Sequence, residues 1–232
     1  MRVPTQIPLT LPHSPQYGRE DFIVGGSNAA ALRLLESWPD GSAPLAVLSG
    51  PPGSGKTHLA HIWAGRTGAG ILAADDLARG LLTRAREGGN IAVENVGPEN
   101  IPGASLFHLI NSVKEQGGAL LLTSRRPAED WQVELPDLRS RLRMATPVTI
   151  GAPDDELLRK ALVKLFADRQ LVVEKAVIDY MLLRMERSLA SAIALVEALD
   201  RAALAAGRAI TRPMAARILS EERASGAFSD RQ

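Results

Sequence analysis

Gly50-Pro51-Pro52-Gly53-Ser54-Gly55-Lys56-Thr57 is the stretch that decides the fold. It fits G-x-x-x-x-G-K-[ST] and follows directly on an apolar run, Leu45-Ala46-Val47-Leu48, that reads as a strand. The segment behind it, His58 to Trp63, reads as a helix. Strand, glycine-rich loop and helix together make a phosphate cradle. The glycines let successive backbone N–H groups turn inward on a β-phosphate, and the helix N-terminus adds the positive end of its dipole. In such a loop Lys56 reaches the β- and γ-phosphates and the Thr57 hydroxyl ligates Mg²⁺. A surface turn that merely ends in Lys-Thr would not need the flanking strand and helix, so the stretch is read as nucleotide-binding.

Outward from the loop, the pattern alternates. Ala29 to Trp38 has apolar residues at helical spacing, with Ser27 or Asn28 placed to cap it. After the loop helix come a short apolar run, Ile71-Leu72-Ala73-Ala74, and a helix opened by Asp75 and Asp76. Ile91 to Asn95, Ala119 to Thr123 and Pro147 to Ile150 are further strands, and Leu106, Leu109, Ile110 and Val113 mark a covering helix ended by Gly117-Gly118. This rhythm predicts an α/β fold, a parallel sheet covered by helices on both faces, over residues 21–150. Beyond Gly151-Ala152-Pro153 the pattern is helical only, which predicts a small all-α domain over 151–232. Residues 1–20, with Pro4, Pro8, Pro12 and Pro15, read as an extended leader.

The chain of 232 residues is 45% hydrophobic, enough for one α/β core with a small appendage. Its 27 basic and 26 acidic residues leave a net charge of +1 with no dense basic tract, so strong autonomous nucleic-acid binding is not expected. Cysteine is absent, which excludes disulfides and thiolate metal sites and fits a reducing compartment. The N-terminus has no apolar secretory core and no run is long enough to span a bilayer, so the expected location is cytoplasmic.

Several residues carry candidate chemistry. Glu94 closes a strand downstream of the phosphate loop, where Mg²⁺ or its waters are held. The next residue, Asn95, can position water but accepts protons poorly, which argues against brisk autonomous hydrolysis. Ser124 ends another strand, where a hydroxyl either senses the γ-phosphate or simply closes the strand. Leu135 to Arg143 is arginine-rich, and an arginine offered to a neighbour's nucleotide accelerates phosphoryl transfer, but spacing alone does not select one of them. In the leader, Gln6-Ile7-Pro8-Leu9-Thr10-Leu11 can place Gln6, Ile7, Leu9 and Leu11 in pockets of a partner, or pack on its own domain. His58 and His61 share a helix with no third metal ligand near them in sequence.

Taken together, the chain resembles an AAA+ ATPase core with its helical lid, and more closely the Hda group of DnaA-related regulators. The resemblance covers almost the whole chain. It rests on Phe22-Ile23-Val24-Gly25-Gly26-Ser27-Asn28, the loop 50–57, Glu94-Asn95, Thr123-Ser124-Arg125-Arg126-Pro127, Leu138-Arg139-Ser140-Arg141-Leu142 and Ala198-Leu199-Asp200-Arg201. It implies ATP or ADP with Mg²⁺, bound by Phe22, Ile23 and Val24 on the adenine side and by Pro52, Gly53, Ser54, Gly55, Lys56, Thr57 and His58 around the phosphates. Thr57 and Glu94 are then the metal side, Ser124 the first sensor, and Arg141 a finger acting in trans.

The implied function is docking of the leader on the DNA-loaded sliding clamp and stimulation of ATP hydrolysis by the replication initiator DnaA. DNA is reached through the clamp, no membrane is involved, and self-association stays open. The chain ends soon after the lid, which leaves no room for the initiator's C-terminal DNA-binding domain. Three positions depart from the group's pattern: Glu94 replaces aspartate, Asn95 replaces an acid, and the lid arginine expected near Ile193 is missing from Ser191-Ala192-Ile193-Ala194, with Arg187 one to two turns earlier. The alternatives are an autonomous ATPase of helicase-loader type, and a non-catalytic, nucleotide-gated clamp adaptor.

Overall fold

The structure, a computed structural model, describes residues 17–40, 43–79, 89–97 and 103–229. The leader motif Gln6 to Leu11 lies outside them.

Five strands form one sheet: β1 (Leu45–Ser49), β2 (Gly70–Ala73), β3 (Ile91–Glu94), β4 (Leu120–Ser124) and β5 (Thr146–Thr149). Their order is β2-β3-β4-β1-β5 and every pairing is parallel. All five residues of β1 and of β4 are buried, as expected for the central strands of a sheet covered on both sides.

The period of two sorts side chains onto two faces. Leu45, Val47, Ile91, Val93, Leu120 and Leu122 join one core cluster, covered by α4 (Gly103–Glu115) through Leu106, Leu109 and Val113 and by α5 (Pro136–Arg143) through Leu138 and Leu142. Ala46, Leu48, Ala92, Leu121 and Val148 join the other, covered by α1 (Ala29–Ser37) through Leu32 and Leu35 and by α2 (Lys56–Thr67) through Leu59 and Trp63. The expected parallel sheet with helices on both faces is present. A short helix, α3 (Ala74–Ala78), follows β2 and carries Asp75 and Asp76 in its first turn, where acids favour the helix dipole.

The described residues divide into two compact units, one of residues 17–158 with 187–190 and one of residues 159–186 with 191–229. The helices of the C-terminal part are α6 (Asp155–Asp168), α7 (Lys175–Leu182), α8 (Leu189–Ala206) and α9 (Arg212–Ser229). In the second unit Val177, Ile178, Met181, Leu195, Val196, Leu199, Met214, Ile218 and Leu219 are buried, the apolar stripes of α7, α8 and α9. Pro213 stands in the first turn of α9, where its missing N–H costs nothing. No helix among the described residues is long and apolar enough to cross a membrane.

One local expectation is corrected. Asn28 occupies the N-cap position of α1, yet its side chain makes no capping bond. Its Oδ1 instead accepts from Gly25 N–H at 2.8 Å and its Nδ2 donates to Ile23 O at 2.9 Å. Buried completely, it spends its amide on pinning the Phe22–Asn28 segment rather than the helix.

Candidate functional site

β1 delivers the chain from the centre of the sheet into the phosphate loop, and α2 leads it away. Gly50 is required by close approach: a Cβ there would stand 2.5 Å from the backbone oxygen of Ile150. Gly50→Ala must therefore displace main chain rather than a side chain. It is expected to lower stability by roughly 1–3 kcal/mol, read as a lower denaturant midpoint with an unchanged slope.

Gly53 is required twice over. Its φ is +66°, and a Cβ would meet Ser188 Cβ at 2.7 Å. At that point Leu189 N–H donates to Gly53 O at 2.9 Å, so the first turn of α8 is tied to the loop within the same compact unit. Arg187 beside it is paired with Asp155 at 2.7 Å, which fixes this segment to the start of α6. Ile193, where the lid arginine is expected, is a half-exposed aliphatic.

Lys56 opens α2 and is buried. Its ammonium donates to Gly50 O and Pro51 O, both at 2.8 Å, and so lies folded over the loop's own carbonyls. Burial lowers its pKa below the usual lysine value, the Arg125 charge lowers it further, and Glu94 opposes both. Arg125 is thus the second cation of this site. Thr57 follows in the first turn of α2, and His58 next to it bonds Gly18 O through Nε2 at 2.9 Å. The His58 ring stands edge-on to Phe22 at 5.1 Å between centroids, so the Phe22–Asn28 segment and the loop helix meet through these two rings. Tyr17 extends the contact by stacking on His61 at 4.2 Å.

Glu94, Ser124 and the loop come together because β3, β4 and β1 are neighbours in the sheet. Ser124 pairs in register with Ser49, and Gly50 N–H donates to Ser124 O at 3.2 Å. The Ser124 hydroxyl accepts from Arg126 N–H at 3.2 Å. Glu94 Oε1 is buried with no hydrogen-bond partner among the described residues. A buried acceptor of this kind calls for a hydrogen-bond donor or a cation, which is what Mg²⁺ or its water would supply. The residues present therefore fit a Mg–nucleotide.

Asn95 has φ +60°, a conformation asparagine tolerates better than most residues. Its N–H donates to Thr123 Oγ1 at 3.1 Å, and Val96 N–H donates to Thr123 O at 2.9 Å. Through these bonds Thr123 sets the turn after Glu94.

On α5 the arginines separate by what they touch. Arg139 donates to Val133 O through Nε and Nη2 at 3.2 and 2.5 Å, and is spent on internal structure. Arg141 holds its guanidinium carbon 5.5 Å from the Phe107 ring centroid of α4, a cation–π distance. Phe107 carried no signal in the sequence, since its partner is 34 positions away. A cavity of about 710 Å³ lies elsewhere in this unit, between Trp131, Arg139, Val47 and Thr149, and includes no residue of the phosphate loop.

The fold is that of an AAA+ module. It resembles domain III of the replication initiation protein DnaA from Thermotoga maritima with a TM-score of 0.76 at 18% identity, covering 91% of this chain and 98% of that one. It also resembles AMPPCP-bound DnaA from Aquifex aeolicus, with a TM-score of 0.70 at 20% identity, covering 90% and 70%. Residues 154–219 match the family model described as the Hda lid domain. An uncharacterized protein of Haemophilus influenzae is 25% identical over 231 residues, covering 93% of this chain and 98% of its own. The lid segment thus resembles that family, and the likeness to the two DnaA structures shows the fold.

Proposed function

We propose that this chain is a nucleotide-controlled regulator that docks on the DNA-loaded sliding clamp and stimulates ATP hydrolysis by DnaA, limiting re-initiation. The observation that carries this reading is a formed phosphate loop beside a strand end that offers an amide where hydrolysis needs a base. Gly53 to Thr57 would hold the phosphates of ATP or ADP, Thr57 and Glu94 the Mg²⁺, and Phe22, Ile23 and Val24 the adenine side. Asn95 can orient a water but cannot take its proton at neutral pH, so the bound nucleotide serves as a structural ligand more than as a substrate. The catalytic contribution goes to the partner instead, through Arg141, which would stabilise developing charge on DnaA's nucleotide. AMPPCP bound to a DnaA of the same fold supports the nucleotide assignment.

The test is release of labelled γ-phosphate from DnaA-ATP with this protein, clamp and DNA in all combinations. Acceleration only with every component present supports the reading. Phosphate release without DnaA would replace it with an autonomous ATPase. Binding of nucleotide and clamp without acceleration would leave a clamp adaptor. Gln6→Ala should abolish retention on immobilised clamp while nucleotide binding is preserved; undiminished retention removes the leader from the mechanism.

A further inference from the structure

α5 is anchored in the core through Leu138 and Leu142, and α4 through Leu106, Leu109, Ile110 and Val113. Arg141, three positions after Leu138, and Phe107, three before Ile110, each stand on the flank of their helix's buried face. The two helices pack on one another, so these flanks meet. There the Arg141 guanidinium carbon is 5.5 Å from the centroid of the Phe107 ring, and both residues are half-buried. The ring is held from below, because Phe107 packs against the core cluster of the sheet.

Among the described residues the Arg141 guanidinium has no carboxylate partner and no hydrogen bond; the ring is its contact. The other arginines of α5 are placed differently. Arg139 is bound to Val133 O, and Arg143 is exposed and lines the cavity beside Trp131. A long side chain left in water samples many rotamers and loses that freedom when it meets a phosphate. A carboxylate would orient it, but would also occupy its N–H donors and neutralise its charge. An aromatic face orients the same plane through its quadrupole and leaves the donors for another acceptor.

We infer that Phe107 is the positioning residue for Arg141, its ring holding the guanidinium in place for the phosphate oxygens of the nucleotide on a neighbouring DnaA. The inference rests on the reading of Arg141 as the residue that stimulates DnaA. Phe107 touches no nucleotide and acts only through the arginine. Its effect therefore falls on how often the docked complex stands in its reactive geometry, and not on how tightly the chain docks.

The experiment is release of labelled γ-phosphate from DnaA-ATP with clamp-loaded DNA, followed against the concentration of the full chain so that maximal stimulated rate and half-saturation separate. Phe107→Leu keeps an apolar side chain against the core and removes the ring. It should lower the maximal rate by roughly two- to five-fold, the scale of a cation–π contact at a partly exposed site, with half-saturation unchanged. Phe107→Tyr restores a ring and should restore the rate. A trifluorinated phenylalanine at this position keeps the shape but weakens the negative face, so it should lower the rate as leucine does. In the isolated chain the δ-methylene protons of Arg141 should show an upfield ring-current shift by NMR, which Phe107→Leu removes.

An unchanged maximal rate in the leucine and fluorinated variants overturns the inference. A loss with leucine but none with the fluorinated ring assigns Phe107 a packing role and overturns it as well. So does the absence of a ring-current shift on Arg141, which needs no DnaA to be measured. Arg141→Ala reports separately on the reading beneath. Full stimulation by that variant removes both the finger and its positioning residue, whereas loss of stimulation there, with normal rates in the Phe107 variants, removes only the positioning residue.

Discussion

Arg141→Ala should reduce the stimulated hydrolysis of DnaA-ATP to the level seen without this protein, a loss on the order of 10³-fold, the scale of an arginine that stabilises charge in phosphoryl transfer. Nucleotide binding and retention on the clamp should remain at wild-type level. The expectation follows from what each arginine of α5 touches. Arg139 is bound to Val133 O, so its loss should appear as a loss of stability. Arg141 touches the face of Phe107 and is bound by no carboxylate among the described residues, so removing it costs the fold little. Arg141→Lys sharpens the test. Lysine keeps the charge but not the planar fork, and should restore only a small part of the stimulation. Full stimulation by Arg141→Ala would move the catalytic contribution to another residue.

Much of the fold could be read from local signals. The phosphate loop announced itself by type and spacing, and its flanking strand and helix both formed, because Gly53 and Gly55 adopt the left-handed conformations the motif demands. Strands such as Leu120–Ser124 were legible because a buried parallel strand is apolar on both faces. Asparagine at 95 was visible as a departure from an acid, though its positive φ was not.

What stayed hidden depends on contacts between distant positions. Phe107 under Arg141 and Ser188 against Gly53 join residues on different elements, and hydrophobic periodicity reports only on which face is buried. Asn28 shows the limit of local rules from the other side. It stands at a cap position with a capping side chain, yet two backbone groups of the preceding loop compete successfully for its amide. Spacing selects none of the arginines of α5, whereas tertiary contacts separate Arg139, bound to Val133 O, from Arg141 on the Phe107 ring.

Lys56→Met should lower nucleotide affinity by about 30-fold or more, since removing the charged partner of a buried pair costs roughly 2–5 kcal/mol. Titration with a fluorescent ADP analogue measures this directly, and wild-type affinity in the variant would detach the loop from phosphate binding. The same substitution should reveal a cost that the fold bears for the site. Lys56 titrates near 10.5 in the unfolded chain and at a lower pH in the folded one, through burial first and Arg125 second. Where both states carry the charge, the folded state holds it at a penalty. As pH rises through the folded value the buried amine gives up its proton first, and the penalty fades until it is gone above 10.5. Methionine does not titrate. The stability of wild type relative to Lys56→Met, without nucleotide, should therefore move in favour of wild type as pH rises from neutral toward 10.5. The absolute difference also includes the Gly50 and Pro51 carbonyls that lose a donor in the variant, so the change with pH is the quantity that isolates the charge. A flat difference would mean that these two carbonyls solvate the ammonium as well as water does. The lysine would then impose no electrostatic strain on the loop, and nucleotide phosphates would gain nothing from relieving it.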